Sequence, residues 1–323
     1  MSKRRFGLIG AGAVGAYYAG KLSQLPEVEL HVLLRSDYQA AREHGIRIQS
    51  ATGDFVLAAD GLYNRAADMP RCDVVLVGLK TTHNHLLPDL LAPLVGPQTT
   101  VVLLQNGLGE EERLAEQVRA GAWVSGICRI CAEKIGPAQI AHLDLGALIL
   151  AGAAVATDSA SRLSAAEAAD QVAATCRQAD ISTTVVADHR RARWKKLVWN
   201  IPFNGLATVL RTDTRRMSED PASGAILREL MAEVIAAANA CGCDFPERLI
   251  EDNMRHTQRM QPFDPSMKQD FDHQRTLELP AMYVYPLQMA AAAGVSMPLV
   301  QALHRQLQFL ERQYGTVASG ASG

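Results

Sequence analysis

In the stretch RWKKLVWNIPFNG, Arg193 to Gly205, Lys196 and Asn200 stand four residues apart. On a helix that spacing puts an ammonium and an amide on one face. Trp194, Leu197 and Ile201 make the neighbouring apolar face. Pro202 is expected to interrupt or kink the helix, because it has no N–H to give and its ring crowds the preceding turn. Such a kink would present side chains and freed carbonyls to a cleft. An ammonium held against apolar walls loses part of its preference for charge and can deliver a proton. The bland alternative is that Lys195 and Lys196 are both solvated, with their stems laid on tryptophan. At least one of the two is expected to be just that.

A second constellation sits near the N-terminus. Gly10-Ala11-Gly12-Ala13-Val14-Gly15 follows a short apolar run and opens an alanine-rich helical stretch. In a strand–turn–helix context the first glycine permits the tight turn. The second lets a pyrophosphate approach the backbone, and the third lets helix and strand pack closely. The helix N-terminus then supplies N–H donors and partial positive charge to phosphate. Twenty residues after Gly15, where an NAD-binding chain carries a carboxylate for the ribose, stands Arg35. A guanidinium pairs bidentately with a 2′-phosphate that a carboxylate would repel. NADPH is therefore expected over NADH, with Ser36 adding a hydroxyl. Asp37 would replace Arg35 as the reader if the strand ended later.

Two more polar residues directly follow apolar runs: Lys80 in VGLKTTH and Asn106 in LLQNGLG. Open parallel sheets bind ligands at the carboxyl ends of their strands, so both are candidates to face a cofactor or substrate. Both also read as loop punctuation. His83 and His85 form a pair without an apparent third ligand and read as helix-start polar residues. No metal is expected.

The elements that must position these groups follow from periodicity. RRFGLIG, VELHVLLR, CDVVLVGLK and TTVVLLQNG are continuous apolar runs alternating with helical stretches, the mark of a parallel, doubly wound sheet. IRIQSATGDFVLAA reads as an inserted hairpin, and Ala122 to Gly152 as strand-rich with a turn at Gly136-Pro137. A helix and a last strand, ISTTVVAD, close this half. Beyond Asp188 only helices are expected, at about 190–201, 221–241, 246–256, 273–293 and 298–313. The fold class is thus a Rossmann-type α/β domain over residues 1–187 and an all-α domain over 188–315. The tail 316–323 has little to bury and is expected to be disordered.

The chain has 323 residues, 48% of them apolar and 20% charged, with a formal net charge of −2. Near-neutral charge gives no general attraction to nucleic acid or to a membrane surface. No run of apolar residues is long enough to span a bilayer, and the N-terminal run is too short and glycine-broken for a signal peptide. A cytoplasmic location is expected. The six cysteines then read as reduced thiols. Cys128 and Cys131, with Cys241 and Cys243, lack the paired spacing of a zinc ribbon and read as small buried residues. The alanine-rich helices of the second half are compatible with internal packing or with a homodimer.

Taken together, GLIGAGAVGAYYAGKL, Arg35, GLK at Lys80, QNG at Gln105 to Gly107, WKKLVWNIPFNGL and PSMKQDF…LEL resemble the ketopantoate reductase (2-dehydropantoate 2-reductase) family in order and spacing. The match runs from Phe6 to about Glu311. The resemblance implies a Rossmann domain, a helical domain and a substrate cleft between them. It implies NADPH-dependent reduction of a small 2-oxo acid, as in pantothenate biosynthesis. By position Lys196, not Lys195, matches the family's catalytic lysine, and Glu278 an acid near it and the substrate hydroxyl. Asn200 and Asn204 match substrate-side asparagines. Ser266 matches a serine that binds the substrate carboxylate, and its place before a helical run also suits an N-cap. Lys80 and Asn106 match interdomain residues facing cofactor and substrate.

The chain departs from the family pattern at Gly205, where better-known members carry proline. It also lacks the usual Asn-Gly pair after Glu278, where LPAMYVYPLQMAA runs instead. Three readings stay open on the residues: a 2-dehydropantoate reductase, a sister dehydrogenase for another 2-oxo or 2-hydroxy acid, and a non-catalytic NADP(H)-sensing protein. A sensor has no need of Lys196, Asn200, Ser266 and Glu278, which argues against the third.

Overall fold

The structure is a computed structural model that describes residues 3–320, with side chains through residue 313. The chain forms two compact units. The first holds the residues up to Asn106 together with Glu110–Ala192, and the second holds Gly107–Gly109 with the chain from Arg193 on. The division falls inside a helix, five residues beyond the expected boundary at 187.

The first unit contains, in chain order, β1 (Arg4–Ile9), α1 (Ala13–Leu22), β2 (Val28–Leu33), α2 (Tyr38–His44), β3 (Ile46–Ser50), β4 (Phe55–Leu57), β5 (Gly61–Tyr63), β6 (Val74–Val77), α3 (Leu87–Leu91), β7 (Thr100–Leu103), α4 (Glu110–Ala115), β8 (Ala122–Gly136), β9 (Gln139–Gly152), α5 (Ala165–Gln178) and β10 (Thr183–Val185). The strands form one sheet in the order β4-β3-β9-β8-β7-β6-β1-β2-β5, with β10 also paired to β9. From β5 through β8 neighbouring strands run parallel, and β8 and β9 form a long antiparallel hairpin. The sheet is doubly wound because both faces are apolar. Phe6, Leu8 and Leu30 join Tyr18 of α1 and Val172 of α5 in one core. Ile9, Val75 and Val77 join Leu87 and Leu91 of α3 and Leu114 of α4 in another. Strands buried on both sides must read as unbroken apolar runs, which is why they were legible.

The IRIQSATGDFVLAA hairpin is not a separate insertion. β3 pairs antiparallel with β4 but also parallel with β9, so it extends the main sheet. Three-residue β5 escaped notice because it is too short to show a period.

The helices after the sheet are α6 (His189–Leu210), α7 (Thr214–Glu219), α8 (Pro221–Ala240), α9 (Leu249–Arg259), α10 (Ser266–Asp272), α11 (Tyr285–Ala292) and α12 (Pro298–Gly320), with a π-helical turn at Pro280–Val284 before α11. Asp213 and Asp220 cap α7 and α8 by accepting the N–H groups of Arg216 and Ser223. The helix expected to stop near residue 201 continues to Leu210 with Pro202 inside it. Its apolar flank explains the persistence: Trp194, Leu197, Val198, Ile201, Phe203 and Ala207 are all buried in the second core, and that burial outweighs one missing backbone bond. The single helix expected over 273–293 is instead a loop, the π-helical turn and α11, because Pro280 and Pro286 break the i→i−4 pattern. α12 runs on through Gly320, so the tail expected to be disordered from 316 begins as helix; residues 321–323 lie outside the described residues.

The first residues of α6, His189 to Ala192, belong to the first unit. Glu112 accepts from Arg190 at 2.8 Å and lies 3.4 Å from His189 Nε2. Burial alone would raise this carboxyl. Hydrogen bonds from His189, from Arg190 and from its own backbone N–H outweigh burial and hold it at about 2, against an ordinary 4.5.

Candidate active site

The glycine turn lies at the carboxyl end of β1, beside β6, where the parallel strand order reverses. Its three glycines have different reasons. Gly10 has φ +90°, and a Cβ there would overlap the backbone of Gly78 and Leu79 at the end of β6. A Cβ at Gly15 would overlap the Gly10 carbonyl oxygen and crowd Leu8. Both are required by the protein's own packing. Gly12 is not: its φ is −74°, and a Cβ there would meet no heavy atom within 4 Å. Gly12 is also the N-cap of α1, with no side chain to occupy the helix's first N–H groups. Ala11, Ala13 and Val14 stay partly exposed while packing on the core below. The residues present therefore fit a phosphate drawn against bare backbone.

At the end of β2, Arg35 and Ser36 are exposed and Asp37 is buried. The Asp37 carboxylate is paired with Lys134 at 2.6 Å and accepts the Ala138 N–H at 3.2 Å. The one carboxylate that competed with Arg35 as a ribose reader is thus committed to the β8–β9 turn. An exposed guanidinium and hydroxyl remain at the corner.

Lys80 caps the turn after β6 and is half-buried. His83 and His85 lie in that 3₁₀ turn, their rings stacked at 6.4 Å. Asn106 closes the first unit before Gly107–Gly109 joins the second. The two loops are tied by Gln105, the first residue of the QNG motif, and by Asn84, which no sequence pattern marks. Gln105 donates to the Leu79 carbonyl at 2.7 Å and exchanges amide hydrogen bonds with Asn84 at 2.6 and 3.3 Å; Asn84 also donates to Glu110 at 2.7 Å. Gln105 and Glu110 are buried, so this network fixes the loop that carries Lys80 and the loop that carries Asn106 as one piece.

In the second unit, α6 carries Lys196, Asn200 and Asn204 at four-residue steps. Lys195 is exposed, whereas Lys196 is half-buried and Asn200 and Asn204 are buried. Asn204 gathers the neighbourhood. Its Nδ2 donates to the Asn200 carbonyl at 3.0 Å, and its Oδ1 accepts the Met267 N–H at 3.0 Å and the Ser266 hydroxyl at 3.4 Å. Ser266 is the first residue of α10 and not its N-cap, which is Pro265. The cap is supplied from α6 by Asn204, and this leaves Ser266 exposed beside it. Two residues on, Lys268 is held between Asp264 at 2.9 Å and Asp272 at 2.7 Å. Burial opposes its charge, but the hydrogen bonds to Asp272 and Asp264 prevail and raise its pKa. Glu278 is buried in the segment leading into the π-helical turn.

The profile of the family described as Ketopantoate reductase PanE/ApbA matches residues 6–154, and that of its C-terminal part matches residues 188–311. The chain belongs to the ketopantoate reductase PanE/ApbA family. It is 40% identical over 311 residues to a 2-dehydropantoate 2-reductase of Nostoc sp., covering 96% of each chain. The crystal structure of a 2-dehydropantoate 2-reductase from Geobacter metallireducens matches with a TM-score of 0.86 at 36% identity, over 94% of this chain and 99% of that one. A D-mandelate dehydrogenase solved with NADH and anilino(oxo)acetate has the same fold, with a TM-score of 0.83 at 18% identity over 96% of this chain and 99% of that one.

For a member of the ketopantoate reductase family this arrangement suits oxidoreductase chemistry. The first unit offers a bare glycine turn at a helix N-terminus. The second offers an ammonium, two amides, a hydroxyl and a carboxylate. No local sequence pattern marks Asn84, Glu110 or Tyr283 as functional. Gln105 is marked by the QNG motif, whereas the hydrogen-bond partners of the others lie 21 to 82 residues away.

Proposed function

We propose that the protein reduces 2-dehydropantoate to pantoate with NADPH. The observation that carries the cofactor half is Gly12, the one glycine of the turn that no protein contact requires. Exposed Arg35, with Asp37 withdrawn to Lys134, supports a 2′-phosphate and hence NADPH. Gly10, Ala11, Gly12, Ala13, Val14 and Gly15 would hold the pyrophosphate, and Lys80 and Asn106 would face the cofactor and substrate. When bound, NADPH supplies the hydride to the C2 carbonyl carbon.

The chain's own residues do the rest. The Lys196 ammonium donates its proton to the carbonyl oxygen and stabilises the negative charge that gathers there. Glu278 keeps Lys196 charged and oriented, or binds the substrate hydroxyl. Ser266 donates to the substrate carboxylate, and Asn200 and Asn106 orient the carbonyl. Asn204, with both its amide groups engaged inside the protein, serves by holding Ser266 in place. The 40% identity to a 2-dehydropantoate 2-reductase across nearly the whole chain supports the substrate.

A second reading is a sister dehydrogenase for another 2-oxo or 2-hydroxy acid. It is favoured by Gly205 and by the segment after Glu278 without the Asn-Gly pair, where the chain departs from the family pattern. NADPH oxidation with 2-dehydropantoate and a small panel of 2-oxo acids decides. Turnover on 2-dehydropantoate supports the first reading, and turnover on another acid alone supports the second. Tight NADPH binding without turnover would overturn both.

A further inference from the structure

Around Pro202 the carbonyls of α6 are taken up by side chains. Pro202 has no N–H, so the Val198 carbonyl lacks its helical donor. The Asn200 carbonyl accepts Asn204 Nδ2 at 3.0 Å, and the Ile201 carbonyl accepts the Tyr283 hydroxyl at 2.8 Å. The Asn204 carbonyl accepts Thr208 Oγ1 at 2.8 Å. Side chains inserted into a helical ladder bend or pin it locally.

Tyr283 is the long-range member of this set. It comes from the π-helical turn at Pro280–Val284, 82 residues away, and its side chain is fully buried. Its ring lies against His304 of α12, stacked at 5.8 Å. Burial strongly disfavours loss of the hydroxyl's proton. A Cβ at Gly205 would overlap that hydroxyl and crowd Leu303. Gly205 and Tyr283 are therefore complementary: the absent side chain at one makes the seat for the phenol of the other. Immediately before Gly205 stands Asn204, which holds Ser266 and the Met267 N–H.

We propose that Tyr283 is a positioning residue for the substrate half of the site: its hydroxyl, seated over Gly205, fixes the turn of α6 that carries Asn200 and Asn204, and through Asn204 the start of α10 with Ser266. The inference rests on the 2-oxo acid reductase reading above, and its effect is to be read mainly in KM for the oxo acid. A phenol that only filled space would leave Phe equivalent to Tyr.

The test compares Tyr283→Phe, Gly205→Ala and the double variant with the full-length protein. Measurements are steady-state kinetics on the best oxo acid of the panel, NADPH affinity and amide hydrogen exchange. The expected result for Tyr283→Phe is a several-fold rise in KM with a smaller change in kcat, unchanged NADPH binding and faster exchange around residues 200–205 and at Met267. Gly205→Ala is more impaired, and adding Tyr283→Phe partly rescues it because the hydroxyl no longer occupies the space. Unchanged KM and unchanged exchange in Tyr283→Phe, or a double variant no better than Gly205→Ala alone, would overturn the inference. Wild-type protein that turns over no oxo acid would overturn the functional reading instead, and the exchange measurement and its rescue then decide the positioning role alone.

Discussion

The Asp37 carboxylate lies 2.6 Å from Lys134 Nζ and is buried, while Arg35, two residues earlier, is exposed. That ion pair spans 97 positions of sequence and leaves a positive corner at the end of β2. Arg35→Asp is expected to weaken NADPH by roughly 10- to 100-fold, the range for losing charge-assisted hydrogen bonds, with little loss for NADH. Asp37→Asn should leave the preference between the two unchanged and lower thermal stability. Fluorescence titration of both nucleotides with each variant checks this, and an unchanged preference in Arg35→Asp would remove Arg35 as the reader.

Two glycines of the turn, Gly10 and Gly12, should separate by phenotype. Gly12→Ala should fold as wild type and bind NADPH more weakly, by about an order of magnitude. Gly10→Ala should be destabilised by roughly 1–3 kcal/mol or more, since it combines a strained φ with backbone overlap. Melting temperature and nucleotide affinity, measured side by side, distinguish a ligand-facing glycine from a packing one.

Lys196→Ala should lower kcat by about 10²–10³, the usual effect of removing one donor to a developing oxyanion. NADPH affinity should be nearly intact. Lys195→Ala, an exposed neighbour one residue away, should be close to wild type. A near-normal rate in Lys196→Ala would refute its role as proton donor.

Asn204→Ala removes a donor to Asn200 and an acceptor for Met267 in a buried place. A loss of about 1–3 kcal/mol is expected from the unpaired groups left behind, together with a raised KM through Ser266. Denaturant unfolding and substrate saturation curves measure the two effects separately.

Glu112 supplies a pH dependence. Its folded carboxyl sits near 2, below its ordinary 4.5, so its contribution to stability is complete above the ordinary value and is lost as pH falls towards 2. Glu112→Gln should therefore cost roughly 1.5–3 kcal/mol at neutral pH, as for hydrogen bonds to a charged group, and progressively less in acid. Urea denaturation of both proteins across the acid range tests it; a pH-independent difference would assign the loss to packing.

Residue pattern alone determined the architecture, because strands buried on two faces and helices buried on one leave periods that any reader of the chain can count. It also determined which glycines turn and which face of α6 carries Lys196 and Asn200, since both follow from spacing over a few residues. Tertiary structure decided what those residues are committed to. Only folding brings Lys134 to Asp37, Met267 to Asn204 and the Tyr283 phenol over Gly205, and only the burial of its neighbours lets α6 continue past Pro202. The physical reason is range: backbone preference and periodicity act over one or two turns, whereas a buried polar group takes whichever partner the packed chain delivers, and a one-dimensional pattern does not record the partner.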